Sequence, residues 1–100
     1  MPQISRDDDL AATGHGCDPI VPVIATAQSV FINGIKVARP GDKLKPHKIQ
    51  CDCPPCCCPH PANINQGSPT VFAERIPVAR VGDSADLGAM ATGSSNVFAG

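Results

Sequence analysis

The chain has no tryptophan and no tyrosine, and only three phenylalanines, Phe31, Phe72 and Phe98, in 100 residues. A domain of this length buries only roughly 60–65% of its unfolded surface, and with so few large side chains its core must be thin. No window free of glycine and proline sustains a 3.6-residue apolar period, which excludes helix as the main architecture. No apolar run approaches the roughly 18 residues of a membrane-spanning helix. Neither sign of charge is in excess: the formal net charge is −1, which offers no basic field to nucleic acid or to an anionic membrane. The opening Met-Pro-Gln-Ile-Ser-Arg-Asp-Asp-Asp is polar and acidic, unlike a signal peptide. There is no H-E-x-x-H, no glycine-rich phosphate loop and no nucleophile with a histidine partner. The chain is also too short to wall a cleft of ordinary size, so the reading is non-enzymatic.

Punctuating residues and sulfur are abundant instead, with 11 Pro, 9 Gly and 6 Cys. Turns must take up much of the chain, and the fold class they imply is all-β with short strands and a staple in place of a large core. Five of the cysteines, Cys51, Cys53, Cys56, Cys57 and Cys58, lie between His47 and His60, interleaved with Pro54, Pro55 and Pro59. The prolines fix φ and remove backbone donors, so this segment is expected to be an extended or turning loop. Thiolate sulfur and imidazole nitrogen together form the ligand set of tetrahedral zinc. Adjacent cysteines pair poorly with one another, and no leader directs the chain to an oxidising compartment. A reducing cytosol and a metal site therefore fit better than a disulfide framework. Cys17, remote from the cluster, reads as packing, and the isolated carboxylates Glu74 and Asp86 read as solvated.

A repeat runs through the chain. Residues 30–42, Val-Phe-Ile-Asn-Gly-Ile-Lys-Val-Ala-Arg-Pro-Gly-Asp, align without a gap to residues 71–83, Val-Phe-Ala-Glu-Arg-Ile-Pro-Val-Ala-Arg-Val-Gly-Asp, and a third copy opens at Val97-Phe98-Ala99-Gly100. Each copy reads as a hairpin. Asn33-Gly34 suits a type I′ turn, in which both residues need φ > 0. Glu74-Arg75 does not suit it, so the second hairpin is expected to be longer or distorted. Aligning the connections between hairpins puts His15, His60 and Leu87 at comparable places. Three units that cannot bury their apolar faces alone imply a pseudo-threefold body.

Ile-Pro-Val-Ala-Arg-Val-Gly-Asp at 76–83, Ile-Lys-Val-Ala-Arg-Pro-Gly-Asp at 35–42, and the hairpin openings Gly-Ser-Pro-Thr-Val-Phe at 67–72 and Gly-Ser-Ser-Asn-Val-Phe at 93–98 resemble the PAAR-repeat proteins. These tip the spikes of type VI secretion systems and contractile phage tails. The resemblance covers residues 13–100 and implies a small cone of short β-hairpins with pseudo-threefold symmetry and a metal-pinned tip. Residues 1–12 of the single domain are then left as a flexible N-terminal segment.

The resemblance also implies one structural Zn2+, with His15, His47 and His60 as ligands. Leu87 stands where a further ligand is expected. Cys57, spaced Cys-x-x-His from His60, is taken to complete the set, with Cys51, Cys56 and Cys58 as rivals. The implied partner is a trimeric valine-glycine-repeat-type spike protein, with effectors bound non-covalently, and the chain is expected to be monomeric alone. It is expected to be cytoplasmic until assembled and then secreted by the machine, or carried at a virion tail tip. A cytosolic thiol-rich metal-binding protein is the alternative reading.

Overall fold

The computed structural model describes residues 1–51 and 57–100. Among the described residues there is no helix. The strands are β1 (Leu10–Ala12), β2 (Ile20–Ile24), β3 (Phe31–Ile32), β4 (Ile35–Lys36), β5 (Lys43–Leu44), β6 (His47–Gln50), β7 (Cys57–His60), β8 (Phe72–Ala73), β9 (Ile76–Pro77), β10 (Ser84–Ala85) and β11 (Gly88–Met90). Five of them form an antiparallel sheet in the order β10-β11-β1-β2-β5, and the pairs β3-β4, β6-β7 and β8-β9 are separate hairpins. The all-β cone of short hairpins expected from the sequence is what the chain forms, with extents of 43 × 24 × 21 Å.

The first repeat hairpin turns at Asn33 and Gly34, with φ of 56° and 76°. The second turns just as tightly at Glu74 and Arg75, with φ of 52° and 71°, which corrects the expectation of a distorted loop. Two bulky residues tolerate the left-handed region here because the Glu74 carboxylate is anchored. It accepts the backbone N–H of Ser29 at 2.7 Å and of Gln28 at 3.1 Å, and pairs with Arg39 Nη1 at 2.9 Å. These bonds also repair a gap in the repeat. In the other two copies a buried serine hydroxyl, Ser68 or Ser94, accepts the N–H groups that open the hairpin. Copy one has Ala27 in that place.

The third hairpin is assembled from both ends of the chain. Gln3 bridges Phe98, Ile4 N–H donates to the Val97 carbonyl at 3.0 Å, and Ala99 N–H donates to the Pro2 carbonyl at 3.0 Å. Residues 1–12 are therefore not a loose leader: Ile4 and Ser5 are buried and β1 lies at the centre of the sheet. Ile4-Ser5-Arg6-Asp7-Asp8-Asp9 plays the part of Val37-Ala38-Arg39-Pro40-Gly41-Asp42 and Val78-Ala79-Arg80-Val81-Gly82-Asp83. In each, the arginine N–H donates to the aspartate carboxylate, at 2.7, 2.9 and 2.7 Å for Arg6, Arg39 and Arg80. Asp8 takes φ of 66° where glycines 41 and 82 take 92° and 93°.

The three copies close on one another through a ring of backbone bonds. Ala38 N–H donates to Ser5 at 2.9 Å, Ser5 N–H to Ala79 at 2.9 Å, and Ala79 N–H to Ala38 at 2.8 Å. Two small cores meet at this ring, whose Ala38 and Ala79 belong to the second of them. The first joins Ile4, Val37 and Val78 with Ala27, Ala73 and Ala99 beneath the hairpins. The second joins Val23, Ile64 and Met90 with Ala11, Leu44 and Ala85 on the way to the connections. Ile4, Val37 and Val78 hold one place in the three copies, as do Val23, Ile64 and Met90, and Ala11, Leu44 and Ala85, so the pseudo-threefold axis runs through both cores.

Candidate metal centre

Each copy leaves its Arg-x-x-Asp turn through a short strand whose second residue enters the upper core, at Ala11, Leu44 or Ala85. The chain then reaches a connection beyond that core, and the connections deliver polar side chains to a common point. His15 follows β1, in a loop tied by Thr13, whose Oγ1 accepts His15 N–H at 3.1 Å and donates to the Asp18 carbonyl at 2.7 Å. His47 opens β6 and His60 closes β7, and the two are direct cross-strand partners. Asp86 occupies the tight turn between β10 and β11 at φ 53°, a conformation aspartate accepts more readily than most residues. Its backbone N–H donates to Asn63 at 3.1 Å, and its carbonyl accepts Asn65 Nδ2 at 3.2 Å.

The three imidazoles face the Asp86 carboxylate through Nε2. The distances to its oxygens are 3.1 Å from His15, 2.8 Å from His47 and 3.2 Å from His60. One ligand atom from each of the four residues lies within 4.8 Å of all the others. A tetrahedral ion with bonds of about 2.0–2.1 Å needs ligand atoms roughly 3.3–3.4 Å apart, so only a small contraction separates this cluster from a coordination shell. The His47 and Asp86 side chains are almost completely enclosed, and that of His60 is the most open, at 29% exposure.

The polar surroundings of the cluster suit a bound cation. His47 has acceptors at both ring nitrogens: its Nδ1 lies 3.1 Å from the Lys45 carbonyl and its Nε2 faces Asp86. With an ion present, the Nδ1–H bond to Lys45 would fix the tautomer that leaves the Nε2 lone pair for coordination. Burial alone would push the Asp86 carboxyl up. Hydrogen bonds from His15, His47 and His60 outweigh it and hold the group below the usual carboxylate range. Three borderline nitrogens and one hard oxygen make a set suited to a divalent ion such as zinc.

His15, His47 and His60 are thus brought together as expected from the sequence. Cys57 is not with them, and this corrects the assignment of the fourth position: its sulfur is bonded to Cys17. Cys51 and Cys58 are bonded to each other, so neither rival offers a free thiolate, and Cys56 lies outside the described residues. Cys17 is likewise half of a staple and not packing. The fourth member is Asp86, one residue before the position aligned with a ligand. Leu87 itself points outward at 76% exposure. A carboxylate three residues after Gly82-Asp83, in the connection that lacks a histidine, was the available signal. Reading Asp86 as solvated hid it, as reading Glu74 as solvated hid its role in the hairpin turn.

A family model described as the PAAR motif matches residues 13–92. No match to a curated protein was found. The match begins after the N-terminal segment that completes the ring, which is the part of the repeat that the chain ends divide between them. With this match over most of its length, a threefold ring of Arg-x-x-Asp turns and a cluster at its apex that could hold a metal, the chain belongs to the PAAR-motif family, the structural spike-tip family of contractile injection systems.

Proposed function

We propose that this protein is the pointed cap on a trimeric β-helical spike of the valine-glycine-repeat type, hardened by a single structural Zn2+ on His15, His47, His60 and Asp86. The observation that carries the reading is the placement of two features at opposite ends of one pseudo-threefold body. At the hairpin end, beyond both cores, Phe31, Phe72 and Phe98 occupy the same place in three copies and are 51%, 55% and 44% exposed. Ile35 and Ile76 are exposed beside them. An apolar set of this kind marks an interface, and its threefold repetition matches a partner with true threefold symmetry. At the other end the four ligands tie connections that the thin core could not hold alone. Zinc would supply charge neutralisation and a fixed tetrahedral geometry there, and no open position for chemistry is needed.

The chain would be made in the cytoplasm as a monomer, seat on the spike, and leave the cell with it. Effectors would ride non-covalently or through the spike. The thiol-rich metal-storage alternative draws less support, because four of the cysteines are bonded in pairs. The experiment is to purify the chain with the spike protein encoded beside it and measure metal content and stoichiometry together. One zinc per chain and one chain per spike trimer are expected. Phe31→Asp with Phe72→Asp should abolish seating while leaving metal content unchanged. A chain that binds no zinc and ignores the spike trimer would remove the proposal.

A further inference from the structure

The cysteine hairpin is the motif that a spike cap with an N3O metal site leaves without a role. Its register supplies one. In β6-β7, His47 faces His60 and Ile49 faces Cys58. Side chains alternate along a strand, so Cys58 lies on the same face as His60, one rung further out, and Cys57 lies on the opposite face. The Cys51–Cys58 bond therefore closes β6 onto β7 directly above the histidine pair. The Cys17–Cys57 bond joins the other face of β7 to the loop between β1 and β2, across 40 residues of sequence. Cys17 stands two residues after His15, and Cys57 three before His60. Through these two bonds the three histidine-bearing segments form one covalent unit. Asp86 alone comes from a segment held by hydrogen bonds.

We propose that the two disulfides are an oxidative latch on the metal centre: forming them preorganises the three imidazoles for one divalent cation, and a bound cation in turn favours these pairings. The inference rests on the metal reading of the apex. Each bond forms by thiol–disulfide exchange. The thiols of Cys17 and Cys57 give up two electrons and two protons and become one S–S bond; a small-molecule disulfide such as glutathione disulfide accepts them and leaves as two thiols. The metal stays divalent throughout. Because the coupling is an equilibrium one, the factor by which the disulfides tighten metal binding equals the factor by which metal stabilises the disulfides. A tip loaded in a reducing compartment would be held by its ion. After delivery into an oxidising medium it would be held covalently as well, and stripping the ion would no longer open it.

The test uses the full chain with zinc alone as the probe. Zinc affinity is measured by competition with a chromophoric chelator for the oxidised chain, for Cys17→Ser/Cys57→Ser and for Cys51→Ser/Cys58→Ser. The first variant should bind about 10-fold more weakly or worse, within the usual range of coupling between sites. The second should lose less, because β6 and β7 remain paired through their strand hydrogen bonds. Since a variant could fail to fold, the unmodified reduced chain is also refolded in glutathione buffers with and without zinc, and its disulfides are mapped by mass spectrometry. Zinc should enrich Cys17–Cys57 and shift the midpoint glutathione ratio by the same factor. Equal zinc affinity in all three chains with an unmoved midpoint, or a map dominated by other pairings, overturns the latch while leaving the metal site intact. Absence of zinc binding in every form overturns both.

Discussion

The hairpin end of this molecule and the end that carries the histidine cluster are built from the same three repeats but held together by opposite means. At the hairpin end the copies do the same thing three times: an Arg-x-x-Asp turn, a two-residue reversal or its equivalent at the chain ends, and one backbone bond to the next copy. At the cluster end the copies differ, contributing His15, His47 with His60, and Asp86 from connections of unequal length. Repetition suffices where backbone geometry does the holding. Convergence on one point requires each connection to solve its own problem, and side chains and disulfides supply the cohesion that a thin core lacks.

The largest effect should separate the two ends directly. In the reduced chain, zinc at about 1,000 times its dissociation constant should add about 4 kcal/mol of stability, a rise in Tm of roughly 15–30 °C for a domain of this size. Hydrogen exchange should show the protection gained mainly in residues 13–19, 45–50, 57–60 and 84–90. Uniform protection would mean that the two ends do not behave as distinct regions.

Next comes Gly88→Ala. A methyl group there would lie 2.0 Å from the Ala12 carbonyl oxygen, forcing β11 away from β1 and moving Asp86 with it. The expected cost is about 3 kcal/mol, together with loss of zinc binding, while the hairpin end keeps its affinity for the spike. Denaturant unfolding and zinc titration of the same sample check both halves.

Acid should act on the ends through different carboxylates. Glu74 is held below the ordinary carboxylate range, mainly by the Ser29 hydroxyl and also by backbone N–H groups and Arg39. Asp86 is held low by its three histidines against the upward push of burial. For a depressed group, stability is present in full above the unfolded-state value, about 4, and is lost as pH falls through the lower folded-state value. The metal-free oxidised chain should therefore unfold in acid below the usual carboxylate range. Glu74→Gln and Asp86→Asn should each flatten the acid limb of the stability curve, the first by loosening the second hairpin and the second by loosening the apex. Circular dichroism across an acid titration would show it.

The smallest effect tests how alike the copies are. Arg75→Gly relieves a left-handed φ of 71° at a site with open counterparts in Gly34, and should stabilise by up to about 1 kcal/mol. Asn33→Ala, which removes bonds to Ser94, Asn96 and Arg6, should cost about 1 kcal/mol.

Much of the hairpin end was legible beforehand because its rules are local. Gly-Asp after an apolar strand, Asn-Gly at a reversal and phenylalanine at a fixed offset have the same meaning wherever they stand. The same locality misled at Glu74-Arg75, whose turn is secured by groups 35 and 45 residues away in sequence. It also misled at residues 1–12, whose repeat lacks the signature glycine because Asp8 takes its conformation. At the other end His15 and His60 were legible from their matched places before the hairpins and His47 from the family resemblance, whereas Asp86, the fourth member of the cluster, was not.

The sequence alone determined that this would be a turn-rich body of three copies built from short strands around a thin core, because periodicity, proline and glycine act within a few residues of where they stand. Only the tertiary structure decided that the chain ends complete the third copy, that Asp86 and not Cys57 meets the histidines, and that Cys17 pairs with Cys57 and Cys51 with Cys58. Those outcomes depend on which distant segments arrive side by side when the ring closes, and no local preference along the chain specifies that.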